Sequence, residues 1–258
     1  MNTISIREND GSIVTLEAHT ALPSTVDLIR EYAREGKPDR FVVFSEGKLL
    51  SDGSIENGVF MSILLRPSFF PSQAPLLGCM TGAAIASALE EHTVSHIGLG
   101  WINDVYCDGK RIGSATIEGK LDDFKAYEYL IITVSLKLDK KHFPPRLTDL
   151  IVEVFESGKS SISLIIARNI ISKFLRFYTN IKNSAKFMDV YTTKFILRTR
   201  TVKFEHNGKK RRCRVVGVDS TTGALIVNLR GVSSEYRIAS RSMVTTPKRI
   251  PIKKQIKA

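Results

Sequence analysis

No stretch of this chain is long and uncharged enough to cross a membrane as a helix. Its first residues, MNTISIREND, hold no apolar run of the kind a secretory signal needs. Cysteine is scarce: Cys79, Cys107 and Cys213 stand far apart, with no CxxC pair. This argues against a disulfide or zinc framework, and reduced thiols in the cytoplasm are the expectation. His92 and His96 lie four apart, but helix gives way to strand between them and no third ligand is in view, so no metal site is expected. Internal repeats and low-complexity tracts are also missing. Acid is nearly absent from the back of the chain. Residues 159–258 carry 23 Lys and Arg against 4 Asp and Glu, whereas residues 1–158 carry 15 against 22. The overall charge of +12 is therefore +19 joined to −7, which points to a different kind of partner for each part.

What is present reads as an ordinary globular chain of 258 residues. LPSTVDLIREYAREG (22–36) predicts a helix with Ser24 at its cap, Asp27 three residues on, Leu28 and Tyr32 on one face and Gly36 at its end. RFVVFS (40–45) and VFMSILLRP (59–67) read as strands, with a short polar loop, EGKLLSDGSIENG, between them. PLLGCMTGAAIASALEEH (75–92) is apolar on nearly every side and predicts a buried helix. Three strand segments follow, SHIGLGW, KRIGSATIEG and YEYLIITVSLKL. Helices are expected over 146–158, capped by Thr148, and over 161–181. Beyond about residue 190 short strands alternate with the turn signals Asn207-Gly208, Thr222-Gly223 and Gly231–Ser234, which suits a small SH3-like barrel. The expected organisation is an α+β part with a mixed sheet and packed helices (1–190), a barrel (191–246) and a basic disordered tail (247–258).

PSTVD (23–27), VFMSILLRP and GWINDVYCDGKRIG (100–113), followed by a small C-terminal barrel, resemble the biotin protein ligase family over roughly residues 15–245. GWINDVYCDGKRIG looks like the family's Lys-Trp-Pro-Asn-Asp motif, a hairpin, and then Lys-(Ile/Leu)-Gly-Gly. Trp101, Asn103, Asp104 and Gly113 match in type and spacing. The helix-turn-helix module that precedes this part in repressor-type members is expected to have no counterpart. The resemblance implies a two-step reaction: biotin attacks the α-phosphate of ATP (with Mg), and an acceptor lysine of a carboxylase domain then takes the biotinyl group. If that chemistry runs here, Ser24, Thr25, Trp101, Asn103, Asp104, Arg111 and Gly113 are the implied ligand-binding residues.

The sequence departs from the family at the places that should supply charge. The Gly-Arg-Gly-Arg loop has no arginine here, and Lys48 is the only cation near its preceding Gln position. The motif lysine is Gly100 and its proline is Ile102. The second glycine of the Lys-Ile-Gly-Gly motif is Ser114, with Arg111 where its lysine belongs. The later Gly-Ile-Gly-(Ile/Leu)-Asn strand aligns with TVSLK, so its glycines become Thr133 and Ser135 and its Asn becomes Lys137. Side chains where backbone should approach a ligand obstruct it. Each lost donor to a developing oxyanion costs roughly 10²–10³ in rate. The expectation is therefore a ligase-like protein without catalysis and without a required cofactor, serving as a binding or structural subunit. Lys48 is either a substitute cation or a solvated lysine, and Asn103-Asp104 either a ligand contact or a turn bonding its own backbone. Two alternatives stay open: a divergent active ligase, and an acyltransferase moving a lipoyl or octanoyl group through Lys110 or Cys107, the latter read as a thiol in a turn.

The basic residues concentrate in two places. GKKRRCR holds Lys209, Lys210, Arg211, Arg212 and Arg214, and the tail holds Lys248, Arg249, Lys253 and Lys254. Strand alternation sets Lys210, Arg212 and Arg214 on one face. The stretch is either a nucleic-acid contact or a solvated hairpin, and the expected partner is acidic, RNA or a protein assembly.

Overall fold

The computed structural model describes residues 2–7, 13–67, 74–138, 161–181, 183–206, 209–229, 235–239, 244–245 and 250. The expected helix at 146–158, the Asn207-Gly208 turn, the Gly231–Ser234 loop and the tail cations Lys248, Arg249, Lys253 and Lys254 lie outside the described residues.

Eight strands form one mixed sheet: β1 (Asn2–Arg7), β2 (Ile13–Leu22), β3 (Phe41–Leu49), β4 (Ile55–Leu65), β5 (Ile97–Gly100), β6 (Asp104–Cys107), β7 (Lys110–Leu121) and β8 (Tyr127–Lys137). Their order is β1-β2-β3-β4-β8-β7-β6-β5, and only β2 and β3 run parallel. The central strands are apolar on both faces because both are covered. Val42, Phe44, Met61, Ile63, Ile132 and Val134 bury against α2 (Ala74–Glu90) and α3 (Ile162–Thr179). Phe41, Val43, Leu64 and Ile131 bury on the other face against Ile29 and Ala33 of α1 (Thr25–Arg34). The most buried stripe of α1 is thus Thr25, Ile29 and Ala33, with Leu28 and Tyr32 flanking it. The architecture is α+β, as the sequence pattern requires.

Local chemistry sets the ends of α1. Ser24 Oγ accepts from the Asp27 amide at 3.2 Å. Gly36 takes φ +80°, which lets Lys37 N donate to Tyr32 O at 3.0 Å. Arg66 then donates from Nη2 to Ala33 O (3.1 Å) and Lys37 O (3.0 Å), satisfying carbonyls at the helix end.

A second, five-stranded antiparallel sheet has the order β12-β11-β10-β9-β13, with β9 (Thr201–His206), β10 (Lys209–Val218), β11 (Leu225–Leu229), β12 (Glu235–Ile238) and β13 (Val244–Thr245). Its size and pairing are compatible with the expected small barrel. Ahead of it comes α4 (Ala185–Lys194), a helix the sequence reading does not anticipate. Its turns pack on α2, and only Phe187, Met188 and Tyr191 are buried, so its apolar stripe is narrow. The small sheet shares one continuous core with the large one.

His92, just past α2, joins that helix to α3. It is 7% exposed, and Asn169 Nδ2 lies 2.8 Å from its Nε2, while Nδ1 has no partner among the described residues. Burial holds its pKa below the usual 6.5, with Lys173 adding to that and Glu91 opposing it. Because the folded value is depressed, His92 contributes stability above pH 6.5 that is lost as pH falls through the folded value. Thermal melts at pH 7.5 and 5.5 should show the wild type losing more stability than His92→Gln. Equal losses would mean the ring does not titrate against burial.

Candidate functional site

Strand register builds a polar shelf on the α1 side of the large sheet, beyond the N-terminus of that helix. One cross-strand row runs His19, Ser45, Phe60, Ser135, Ser114, Asp104, Gly100. The next runs Glu17, Val43, Ser62, Thr133, Thr116. Paired residues share a face, so Ser114, Thr133 and Ser135, which stand where the resemblance places glycines, line up here with Ser45, Ser62 and Asp104. A chain of hydroxyls links the shelf to α1: Thr25 Oγ1 is 2.9 Å from Ser62 Oγ, which is 3.0 Å from Thr133 Oγ1. Ser62 is fully buried and absent from the sequence reading. Its signal is a lone hydroxyl in the apolar run VFMSILL.

Beside this chain lies a pocket of about 100 Å³ lined by Ser24, Thr25, Lys48, Phe60, Thr133 and Ser135, with Leu22, Pro23 and Val26. A cavity of about 150 Å³ holds one benzene ring. Among the described residues, Lys48 is the only charged one in its lining. Arg111 and Lys137, on neighbouring strands, are each paired with a carboxylate. Arg111 Nη2 bonds Asp104 Oδ1 at 2.7 Å, and Lys137 pairs with Glu56.

The segment between β3 and β4, read from sequence as a short polar loop, is instead a hairpin paired through Lys48 with Glu56 and Leu49 with Ile55. Ser54 donates from N (3.0 Å) and Oγ (2.6 Å) to Asp52 Oδ1 and Gly53 takes φ +80°, so the Asp52-Gly53-Ser54 turn lets the ladder continue nearly to the tip. Glu46 Oε1 accepts from Ser161 Oγ at 2.6 Å, tying the hairpin to the residue that caps α3.

The motif residues after β5 face elsewhere. Trp101 is fully buried and its Nε1 donates to Gly223 O at 2.9 Å, in the turn between β10 and β11. Gly223 has φ +75° and sits so close to Pro75 and Leu76 that a Cβ would lie 2.6 Å from backbone. The Asn103 amide, oriented to satisfy its neighbours, donates to Gly78 O and, at 2.8 Å, to Ile102 O, so it fastens the turn to α2. Gly78 permits that approach, since a Cβ there would meet Ile102 Cγ2 at 2.2 Å. Tyr191 OH donates to Ile102 O (2.7 Å) and Gly100 O (3.2 Å). At Gly100 a Cβ would sit 3.0 Å from the buried Tyr106 ring and 3.1 Å from Asp104 Cβ. Gly113 serves the sheet, because a Cβ would lie 2.0 Å from Ser135 O. Ser24, Thr25 and Lys48 therefore meet at the pocket, Asp104 and Arg111 pair with each other, and Trp101, Asn103 and Gly113 go to packing.

Cys107 lies in β6 and is fully buried, contrary to its reading as a thiol in a turn. The strand takes it because Cys107 pairs with Ile97, in a run that is apolar inward. Lys110 begins β7 as an exposed residue. No group of three or more His, Cys, Asp or Glu could hold a metal ion among the described residues, and no helix among them is long and apolar enough to cross a membrane.

This arrangement has known counterparts. The structure of the biotin protein ligase from Aquifex aeolicus superposes with a TM-score of 0.66 at 18% identity, covering 89% of this chain and 96% of that one. The chain has a biotin protein ligase-like fold. A biotin protein ligase-like protein of unknown function from Silicibacter sp. TM1040 superposes with a TM-score of 0.64 at 15% identity, over 88% and 94% of the two chains. The Aquifex aeolicus enzyme is also known in complex with biotin and ATP. In sequence, the bifunctional ligase/repressor BirA of Bacillus subtilis is 23% identical over 153 residues, 56% of this chain and 47% of that protein. The BirA of Bacillus spizizenii is 21% identical over 150 residues. The chain spans about half the length of these curated relatives. No family model matches the sequence.

Proposed function

We propose that this is a biotin protein ligase-like protein that has lost catalysis and acts in the cytoplasm as a binding subunit, its ligase-like part at 1–190 and a small barrel at 191–246 followed by a basic tail. Its basic back half takes an acidic partner, with RNA the first candidate. The observation that carries this is the pocket. Adenylation of a carboxylate moves negative charge onto phosphate and carboxylate oxygens, and catalysis needs fixed cationic donors aimed at them. The pocket offers one ammonium, that of Lys48, in about 100 Å³ edged by Thr133 and Ser135. The β3–β4 segment is paired as a hairpin where the family has an arginine loop. Arg111 is already committed to Asp104. Three free, buried cysteines fit a reducing compartment.

Ligand-dependent melting tests this. A ligand at about 100 times its Kd stabilises by about 2.7 kcal/mol, a shift of several degrees. Biotin, ATP with Mg, and both together should leave the Tm unchanged. A clear rise with biotin would restore the active-ligase reading, and Lys48→Ala would then show whether that lysine carries it.

A further inference from the structure

The cations of the back half are not spread evenly over the small sheet. Lys210, Arg212 and Arg214 alternate along β10 and are all exposed, while Cys213 and Val215 between and beyond them point inward and are buried. Register places Lys203 of β9 opposite Arg212, Thr201 opposite Arg214 and Glu205 opposite Lys210. Lys203 therefore joins the same outer face, although it stands apart from the GKKRRCR run in sequence. Lys209 and Arg211 have the opposite parity and belong to the other side of the ribbon. Among the described residues, Lys203, Lys210, Arg212 and Arg214 have no ion-pair partner. Cations elsewhere do: Arg30 with Glu118, Arg111 with Asp104, Lys120 with Glu128, Lys173 with Glu91 and Lys194 with Glu90.

We propose that this outer face of the β9–β10 ribbon is a docking surface for the sugar-phosphate backbone of RNA. The proposal rests on the reading that the basic half takes an acidic partner. Alternate residues on a strand stand roughly 7 Å apart, so Lys210, Arg212 and Arg214 meet successive phosphates of an extended strand, with Lys203 beside them. The face lacks what base readout by stacking needs. Phe204 is 3% exposed in the core, and Tyr236 packs against it with ring centroids 6.5 Å apart. Binding is therefore backbone-directed and tolerant of sequence. The face also lacks the apolar, aromatic centre of a protein interface, where lysine is depleted. Val216 is the only exposed apolar side chain on β10.

The test uses the full chain and a labelled mixed-sequence RNA of about 25 nucleotides, followed by fluorescence anisotropy across a salt series. Two charge-matched variants are compared after circular dichroism shows both folded: Lys203→Glu/Arg212→Glu on the outer face, and Lys209→Glu/Arg211→Glu on the other side. The outer-face variant should lose at least tenfold in affinity and the other less than threefold. Each phosphate contact contributes about 0.7 to the log–log salt slope for a single strand, so the outer-face variant should flatten it by roughly 1.4. Equal losses in both variants would overturn the outer-face assignment and leave the basic-half reading standing. No binding by the wild type even at low salt would overturn both. Polyglutamate competing as well as unlabelled RNA at equal charge would overturn the RNA assignment in favour of an acidic protein.

Discussion

Trp101→Ala should cost about 3–5 kcal/mol of stability, as truncation of a large buried aromatic does, and lower the Tm by roughly 6–20 °C for a chain of this size. The indole is fully buried, and its N–H is held 2.9 Å from Gly223 O. Removing it opens a cavity where α2, the turn after β5 and the small sheet meet, and leaves a buried carbonyl without that donor. Trp101→Phe keeps most of the packing and loses the hydrogen bond, so it should cost less, about 1–3 kcal/mol. Urea unfolding followed by circular dichroism measures both. A ligand-contacting tryptophan behaves differently: its truncation leaves the fold nearly intact. A Trp101→Ala protein that melts within a degree or two of wild type would show that the residue does not hold the two sheets together.

That contrast explains how far the sequence alone reaches. The helix at 25–34, the buried helix at 74–90 and the strands of the large sheet were legible because local signals agreed with the tertiary outcome. Ser24 caps, Gly36 ends, and apolar runs mark strands covered on both faces. The pocket residues Ser24, Thr25, Lys48, Thr133 and Ser135 were legible only through the resemblance, since no periodicity brings 24, 48 and 133 together. The β3–β4 segment was read as a loop because its polar residues hide a ladder that the Asp52-Gly53-Ser54 turn makes possible. Cys107 was misplaced for a related reason: the Asp108-Gly109-Lys110 stretch that follows it reads as a turn and masks the end of a strand whose four residues are all buried. Nothing local could reveal that Trp101 reaches Gly223 across 122 positions, or that Lys203 lies beside Arg212, because both depend on packing and register.

The same geometry determines what is expected of the chemistry. The family reaction needs several cationic donors acting together, and each one lost costs roughly 10²–10³ in rate. Such losses do not add simply when residues act as a unit. On the proposed reading, the missing arginine loop and Gly100 leave Lys48 as the one charged residue lining the pocket among the described residues. Restoring the lysine alone should not rescue activity, since a Cβ at position 100 already stands 3.0 Å from the buried Tyr106 ring. A Gly100→Lys variant should instead melt lower than wild type and remain inactive.

The most direct measurement is biotin-dependent exchange of labelled pyrophosphate into ATP by the purified full chain, run beside an active biotin protein ligase. Exchange at the level of the no-biotin background, in the wild type and in Lys48→Ala alike, is the predicted result. Exchange that rises with biotin well above that background and disappears in Lys48→Ala would contradict the loss of catalysis and make Lys48 the cation of a working site.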